Sequence, residues 1–249
     1  MSIPKLIFIV PYRDREMQQK FFDRHMKTYI LENVNPESFK IYYIHQNDNR
    51  PFNRGAIKNM GFLVMKEKYP ADYQNITFVF NDVDTAPLCP NIFNYETQLN
   101  TIKHFYGYKH ALGGIFSIKG SDFEKTNGFP NYWAWGYEDS VMQKRAQSMN
   151  ININRNEFLP ILHKNVLFMH DDIYRAVNRK EFDRFSKNMN DGYKDIHNKE
   201  YTIDENTGFV NVTNFTTPYN YDASQDKTID LRNGGVPYQT PQNMGMKFI

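Results

Sequence analysis

The sequence lacks the features that mark secreted, membrane-anchored and disulfide-rich proteins. Its 249 residues include one cysteine, Cys89, which cannot form an internal disulfide. The N-terminal stretch "MSIPKLIFIVPYRDRE" holds an apolar run that is too short, and too soon ended by charge, for a signal peptide or a membrane anchor. We therefore expect a reducing, cytoplasmic location and no membrane anchor in this chain.

The sequence also lacks an excess of charge of either sign. The 30 Lys and Arg residues nearly balance the 28 Asp and Glu residues, so the net charge is only +2, and no basic block is longer than a pair. Electrostatics therefore favours neither nucleic acid nor an anionic membrane as a partner. The chain has no internal repeat and no low-complexity linker. With 40% hydrophobic side chains it can bury a sizeable core, which predicts a single domain over residues 1–249.

The first half alternates apolar runs of strand length with helix-spaced stretches. The runs "KLIFIVPY", "FKIYYIH" and "NITFVFNDVD" predict strands, and residues 15–31 and "RGAIKNMGFLVMKEKY" predict the helices between them. This alternation favours an α/β fold with a parallel sheet. Open sheets of this kind bind ligands beyond the carboxyl ends of their strands, and those ends are polar here: "PYRDR", "HQND" and "NDVD".

The second half has a looser pattern. The stretch "YKHALGGIFSIKG" predicts a strand with paired glycines, and "SDFEKTNG" predicts a short helix with Ser121 as its N-cap. Residues 138–148 predict a further helix. From about residue 187 to residue 249 the chain is rich in Asn, Asp, Thr and Tyr without helical spacing, which predicts an extension of strands and loops that wraps the core.

Two stretches carry candidate chemistry. In "FNDVDTAP", Asp82 and Asp84 follow a strand, where hard oxygen ligands can hold a divalent cation bound to phosphates. A solvated turn explains the same triplet. In "NGFPNYWAWGYEDSVMQKR", aromatic residues precede Glu138 and Asp139. An acidic first helical turn, stabilised by the helix dipole, is the structural explanation for that pair.

Five motifs, in order, resemble those of the β-1,4-galactosyltransferase family. They are "FIVPYRDRE", "FNRGAIKNMGF", "FVFNDVDTAP", "GGIFSIKGSDFEKTNGFPN" and "YWAWGYED", and the resemblance runs from about residue 6 to about residue 190. It implies a GT-A fold with a mixed, mainly parallel central sheet, a UDP-sugar donor, Mn²⁺, and inversion at the anomeric carbon.

The resemblance also assigns the residues that contact the donor. Arginine offers a fixed fork of donors that suits phosphate, and an aromatic face can pack on uracil. Without the resemblance, Arg13 and Arg15 would equally suit a helix start with surface salt bridges. The residues assigned to the donor are Pro11, Tyr12, Arg13, Arg15, Phe52, Arg54, Asp82, Val83, Asp84, Gly114 and Trp135.

Asp84 and His170 match the metal ligands of the family. Family members place a methionine or a second histidine two or three positions before this histidine, where this chain has Leu167 and Phe168. Met169 is adjacent instead, so either the loop bends differently or water fills that coordination position, which an ion such as Mn²⁺ tolerates.

By resemblance Asp139 is the catalytic base, with Glu138 beside it. In an inverting transfer one carboxylate on the acceptor side must take the proton of the attacking hydroxyl, while the metal stabilises the departing diphosphate. Trp135 matches the tryptophan of the family's lid, whereas a core role suits Trp133 at least as well as a sugar contact.

Several departures from the family pattern bear on specificity. Ala111 lies where galactose-transferring members carry a large side chain, so space beside C2 of the donor predicts acceptance of UDP-GalNAc or another UDP-N-acetylhexosamine. Ser140 replaces an acidic residue that helps to hold the acceptor. Ala134 and Tyr137 replace glycines, which restricts the lid backbone. The residues assigned to the donor sugar or the acceptor are Ala111, Gly113, Trp135 and Phe182.

The sequence therefore predicts an inverting, Mn²⁺-dependent glycosyltransferase that moves a hexose or N-acetylhexosamine from a UDP-sugar to a carbohydrate hydroxyl, forming a β-linkage. A non-catalytic protein that binds carbohydrate or nucleotide sugar is the alternative. The altered metal ligand supports that alternative, whereas retention of Asp84 and Asp139 opposes it. A metal-dependent phosphohydrolase would use aspartates too, but it would not explain the aromatic segment.

Overall fold

A computed structural model describes residues 2–169, 174–187, 190–230, 232 and 238. Its strands are β1 (Leu6–Tyr12), β2 (Phe39–Gln46), β3 (Thr77–Asn81), β4 (Thr85–Pro87), β5 (Thr101–Gly107), β6 (Ile115–Lys119), β7 (Asn152–Asn154), β8 (Leu159–Pro160), β9 (Val166–Phe168), β10 (Tyr174–Asn178), β11 (His197–Asp204), β12 (Phe209–Thr216) and β13 (Asp226–Asp230). Its α-helices are α1 (Glu16–His25), which a π-helical turn (Met26–Ile30) continues, α2 (Arg54–Lys68), α3 (Gly120–Lys125), α4 (Glu138–Ser148) and α5 (Arg179–Lys187). Two short 3₁₀ turns span Tyr193–Asp195 and Ala223–Gln225.

The main sheet has the strand order β11-β12-β2-β1-β3-β6-β5-β7, with β8 paired to β5. Strand β1 runs parallel to β2 and to β3, and β12 runs parallel to β2. Strand β6 is antiparallel to both of its neighbours, β3 and β5. The sheet is thus mixed and mainly parallel, and the predicted fold class is confirmed.

Strand β1 is buried on both faces because a helix packs on each side of the sheet. Ile7 and Ile9 join the core cluster that includes α2, whereas Phe8 joins the cluster that includes Phe22 of α1. Alternate residues of a strand point to opposite faces, so a strand buried on both sides reads as one continuous apolar run. Helix α2 packs closely on this sheet, since a Cβ on Gly61 would lie 2.6 Å from Cγ2 of Ile9.

The order of the parallel strands positions the site. From β1 the chain crosses to β2 on one side, and from β2 it returns past β1 to β3 on the other side. The carboxyl ends of the three strands lie at the same edge of the sheet. The connection after β1 leaves toward β2 and the next one leads to β3 on the other side, so a crevice forms between them.

The second half corrects two predictions. The stretch "YKHALGGIFSIKG" is not one strand: only its end forms β6, and residues 108–114 form a turn after β5, a strand that the sequence pattern did not predict. Ser121 does not cap α3, because the helix begins one residue earlier, at Gly120, with Lys119 as the N-cap. Helix α4 matches its predicted bounds, residues 138–148.

Beyond residue 187 the chain contributes to two sheets. Strands β11 and β12 extend the main sheet past β2, and β13 pairs with β10 in a separate two-stranded sheet. No helix among the described residues has both the length and the apolar character needed to cross a membrane.

Candidate active site

An open cavity of about 1250 Å³ lies at the carboxyl edge of the parallel strands. It is large enough for a nucleotide sugar together with part of an acceptor. The structure brings most of the predicted site residues to it. Those that line it are Pro11, Arg13, Arg15, Phe52, Arg54, Asp82, Val83, Asp84, Ala111, Gly113, Gly114, Trp135, Glu138 and Asp139.

Two predicted residues do not line the cavity. Tyr12 alternates with its strand neighbours and packs edge-on against His45 and Phe209, at ring-centre distances of 5.1 and 5.2 Å. Phe182 is only 4% exposed and lies behind Tyr137, whose ring centre is 5.5 Å away and which lines the cavity in its place. His170 falls outside the described residues.

One side of the cavity, which we call the donor wall, consists of the ends of β1 and β3 and the start of α2. Nη2 of Arg13 donates to the carbonyl of Asp48 at 2.9 Å, and Nη1 donates to the carbonyl of Arg50. Through these hydrogen bonds Arg13 also holds the loop after β2 in place. The guanidinium of Arg54 lies 5.2 Å from the ring centre of Phe52, so this cation and this aromatic face form one surface.

Side-chain amides fix the start of α2 against the aromatic segment. Asn53 is the N-cap of α2, and its Nδ2 donates to the carbonyl of Asn131 at 3.1 Å. Asn59 donates to the carbonyl of Phe129 at 2.7 Å and accepts from its backbone N–H at 2.9 Å. Both amides are fully buried, so their pairing is needed for stability.

The turn after β3 presents the two aspartates. The backbone N–H of Asp82 donates to the carbonyl of Gly114 at 3.1 Å, and the carbonyl of Asp84 accepts from the backbone N–H of Met169 at 2.8 Å. Burial, with the help of the nearby Asp82 and against the effect of Arg54, raises the pKa of Asp84 to about 6. A partly buried carboxylate beside a second carboxylate suits a bound cation.

The donor set fits a metal in part. No group of three His, Cys, Asp or Glu side chains gathers among the described residues. Asp84 offers a hard oxygen ligand of the kind that Mn²⁺ takes. Met169, which donates a hydrogen bond to the carbonyl of Asp84, precedes His170 in the sequence. Phe168, one of the two positions where the resemblance implies a further ligand, lines the cavity.

The other side, which we call the acceptor wall, consists of Ala111, Gly113, Gly114, residues 135–140 and the facing edges of β10 and β13. Asp139 lies in the first turn of α4, and its Oδ1 accepts from Nζ of Lys58 at 2.9 Å. Burial raises the pKa of Asp139 to about 7, against the effect of Lys58 and with the help of Glu138 and Asp82. A carboxylate with a pKa near neutrality is well matched to act as a general base.

Paired glycines allow the chain to pass close to Asp139. A Cβ on Gly113 would lie 2.2 Å from Oδ2 of Asp139, which leaves no space for a side chain. Gly114 has a φ of +66°, a conformation that favours glycine, and a Cβ there would lie 2.4 Å from the carbonyl oxygen of Tyr106. The backbone N–H of Leu112 donates to the carbonyl of Asp139 at 3.0 Å, so turn and helix are joined.

The two tryptophans have different environments. Trp133 is 3% exposed, stacks on Phe215 at 5.8 Å and donates Nε1–H to the carbonyl of Tyr219 at 3.1 Å. It is a core residue. Trp135 lines the cavity, and its backbone N–H donates to the carbonyl of Ala176 in β10 at 2.8 Å. The aromatic segment is therefore tied to the strand beside it.

Sequence reasoning missed several residues of the site. Lys58 lies within a quoted motif but received no role; the available signal was a lone lysine in an apolar stretch, four residues after Arg54. The rim residues had no local signal, because the chain brings them from distant segments. They are Tyr108, His110, Arg175 and residues 227–230 of β13.

Two family models match consecutive parts of the chain. The N-terminal region of glycosyl transferase group 7 matches residues 1–95, and the model described as the N-terminal domain of galactosyltransferase matches residues 94–171. The xylosylprotein 4-β-galactosyltransferase of Caenorhabditis elegans is 34% identical over 163 residues, which are 62% of this chain and 54% of that protein. The human β-1,4-galactosyltransferase 4 is 27% identical over 234 residues, 85% of this chain and 63% of that protein. The chain thus spans between half and two thirds of these relatives.

Solved structures share the fold. The catalytic domain of Drosophila β-1,4-galactosyltransferase 7 in complex with xylobiose aligns with a TM-score of 0.65 at 22% identity, over 85% of this chain and 94% of that chain. A variant of the same Drosophila protein, in complex with manganese, UDP-Gal and xylobiose, aligns over the same shares with a TM-score of 0.64 and 22% identity.

Proposed function

This chain belongs to the β-1,4-galactosyltransferase family, and from that premise we propose that it is an inverting glycosyltransferase. It transfers a hexose or N-acetylhexosamine from a UDP-sugar to a carbohydrate hydroxyl, with Mn²⁺, and forms a β-linkage. One observation carries the proposal: a single cavity is lined both by Asp139, with a pKa of about 7, and by the partly buried carboxylate of Asp84.

The donor wall holds the UDP moiety. Arg15 and Arg54 line the cavity with charges suited to the diphosphate, and the ring of Phe52 offers a face for uracil. Asp84 and His170 would hold the Mn²⁺ ion. When bound, that ion supplies Lewis-acid stabilisation of the charge that develops on the leaving diphosphate.

The acceptor wall performs the proton transfer. Asp139 takes the proton of the acceptor hydroxyl as that oxygen attacks the anomeric carbon, and Trp135 keeps water away from the reacting atoms. Because the base must be ionised and its pKa is about 7, kcat/KM should fall as the pH is lowered through neutrality. Activity should level off above that pH.

The donor sugar depends on the space beside Ala111. This residue lines the cavity next to Gly113, and a methyl group there leaves room for the N-acetyl group at C2 of a UDP-N-acetylhexosamine. The relatives are named for galactose transfer. Because of the space beside Ala111, we propose that this protein accepts UDP-GalNAc at least as well as UDP-galactose.

Release of UDP from a panel of UDP-sugars, with and without Mn²⁺ and with added xylobiose or other saccharides, tests the proposal. We expect Mn²⁺-dependent release that a saccharide acceptor increases. Binding of UDP-sugars without any release would instead support the alternative, a non-catalytic nucleotide-sugar-binding protein. Absence of both binding and release would contradict both functions.

The extent and location of the protein are further proposals. We propose that residues 1–249 form one GT-A domain, in which the strands after residue 187 are an integral extension.

Cys89 is exposed and is the one cysteine of the chain, so a reducing, cytoplasmic location suits it. Fractionation of cells that express the native gene, with detection by antibody, would test that location.

A further inference from the structure

Lys58 is a buried cation in an apolar helix. It lies in the first half of α2, is 2% exposed, and has Ile57 and Asn59, both fully buried, as its chain neighbours. Its Nζ lies 4.8 Å from the ring centre of Phe129. A buried ammonium without a partner would lose its proton or destabilise the fold, so the position of Lys58 requires nearby negative charge.

That negative charge comes from the candidate site. Nζ of Lys58 lies 2.9 Å from Oδ1 of Asp139 and 3.8 Å from Oδ1 of Asp82. The ammonium therefore joins the acceptor wall to the donor wall. Glu138, beside Asp139 in α4, is the other charged group that acts on this pair.

The carboxylate of Asp139 is confined from a second direction. Its Oδ2 lies against Gly113, where a Cβ would be only 2.2 Å away. The side chain retains 27% of its exposure, so the carboxylate reaches the cavity. Lys58 occupies Oδ1, which leaves Oδ2 to receive a proton.

We propose that Lys58 is a positioning residue for the sugar transfer, holding Asp139 in one orientation and in its ionised form so that Oδ2 can act as the base. This inference rests on the proposed function. In the step concerned, the acceptor oxygen forms a bond to the anomeric carbon as its proton moves to Oδ2. The bond from that carbon to UDP breaks, and UDP leaves with the electron pair.

The electrostatics of the site supports this role. Burial, Glu138 and Asp82 all disfavour a negative charge on Asp139 and raise its pKa, and Lys58 opposes them. Burial disfavours the charge on Lys58 in turn, but Asp139, Asp82 and Glu138 outweigh it and raise the pKa of the ammonium. An opposite charge at this range lowers a carboxyl pKa by roughly 1 to 3 units, so removal of Lys58 should leave Asp139 protonated at neutral pH.

The first test is the pH dependence of UDP release by Lys58→Met, a substitution that removes the charge and keeps most of the volume. We expect the acidic limb of kcat/KM to move to higher pH by about 1 to 3 units, and kcat to change more than KM. Lys58→Arg, which keeps a cation, should restore much of the parent limb. An unmoved limb in Lys58→Met would overturn the proposal.

Lys66 provides a matched control on the same helix. Its Nζ donates to Glu124 and lies 4.9 Å from the ring centre of Tyr73, so it is also a lysine with a carboxylate and an aromatic partner. Lys66→Met should lower stability without moving the acidic limb. An equal shift in Lys58→Met and Lys66→Met would show that the effect is a general consequence of lost stability, and would overturn the proposal.

A second readout does not need activity. Carbon-13 NMR of the aspartate carboxyl groups follows the titration of Asp139 directly, with Asp139→Asn identifying its signal. We expect the midpoint to rise in Lys58→Met, or in Lys58→Gln if the methionine variant does not fold. An unchanged midpoint would overturn the inference. A shifted midpoint in a protein that turns over no UDP-sugar would contradict the proposed function but leave the pairing of Lys58 with Asp139 intact.

Discussion

The two walls of the cavity are built in different ways. The donor wall rests on β1, β3 and α2, whose apolar residues are almost fully buried. The acceptor wall rests on a segment in which Ala134, Gly136 and Tyr137 have φ values of 69°, 113° and 73°, which favour glycine. On the donor wall Asp14, which follows β1 and lines the cavity, has a φ of 50°. Backbone strain is thus greater on the wall proposed to carry the chemistry than on the wall proposed to bind the diphosphate.

Both walls carry a carboxylate with a raised pKa, Asp84 on the donor wall and Asp139 on the acceptor wall, but the charged groups on the two walls are held in different ways. On the donor wall Arg13 is satisfied by backbone carbonyls of the next loop. On the acceptor wall Asp139 depends on Lys58, which reaches it from α2, 81 residues away in the chain. Strained backbone and shifted pKa values concentrate where function needs them and where the surrounding fold can hold them. The following predictions test this contrast, from the largest effect to the smallest.

The largest effect should come from Asp139→Asn. The amide keeps the shape and most hydrogen bonds but cannot accept a proton, so kcat should fall by roughly 10² to 10⁴ while UDP binding survives. Saturating transfer assays and calorimetry with UDP would measure the two quantities. Transfer at the parent rate would reduce Asp139 to a helix-start residue and remove the chemistry from the acceptor wall.

On the donor wall, Asp84→Ala and His170→Ala should uncouple metal from nucleotide. In the parent, UDP should tighten Mn²⁺ binding by roughly 5- to 150-fold, and Mn²⁺ should tighten UDP equally, since linkage is reciprocal. Calorimetry should find this coupling lost in both variants and retained in Asp204→Ala, a change at an exposed residue in β11. Unchanged coupling in Asp84→Ala would exclude that residue as a ligand.

Donor choice should respond to Ala111→Tyr. The larger ring would fill the space beside C2 and reject the N-acetyl group by steric overlap, so the ratio of kcat/KM for UDP-GalNAc over UDP-galactose should fall by about 10-fold or more. Competition between the two donors in one assay gives this ratio directly. A ratio equal to that of the parent would mean that Ala111 does not face the donor sugar.

The smallest effect concerns the strained backbone itself. Ala134→Gly should raise the free energy of unfolding by about 0.5 to 1 kcal/mol, because relief of the left-handed conformation exceeds the entropy that glycine adds to the unfolded chain. The opposite change, Gly136→Ala, meets no atom within 4 Å but imposes a strained φ of +113°, so it should destabilise the protein. Denaturant unfolding of both variants would detect the opposite signs, and equal signs would argue against backbone strain in this segment.

The sequence predicted the donor wall better than the acceptor wall for a physical reason. Strands β1, β2 and β3 are covered on both faces, so their apolar runs are continuous and their polar ends mark the sheet edge. The stretch "TIKHFYG" of β5 mixes polar and apolar residues without such a run, and the prediction missed it.

The sequence also did not predict the roles of side chains that depend on contacts between distant parts of the chain. Lys58 looks like an ordinary helical lysine until the fold places it beside Asp139. The orientation of Tyr12 depends on the register of β1, and that of Phe182 on the packing of α5 behind Tyr137. Motif resemblance places a residue in the chain, but only packing decides which face of an element meets the cavity.

The most direct test of the central claim is the configuration of the sugar first released when the protein hydrolyses a UDP-α-sugar with Mn²⁺, followed by time-resolved proton NMR. This measurement needs no knowledge of the natural acceptor, because water takes its place on the acceptor wall. If Asp139 activates the attacking oxygen on the face opposite to UDP, the β-anomer should form first and the α-anomer should grow in only by mutarotation. Initial release of the α-anomer would contradict the account.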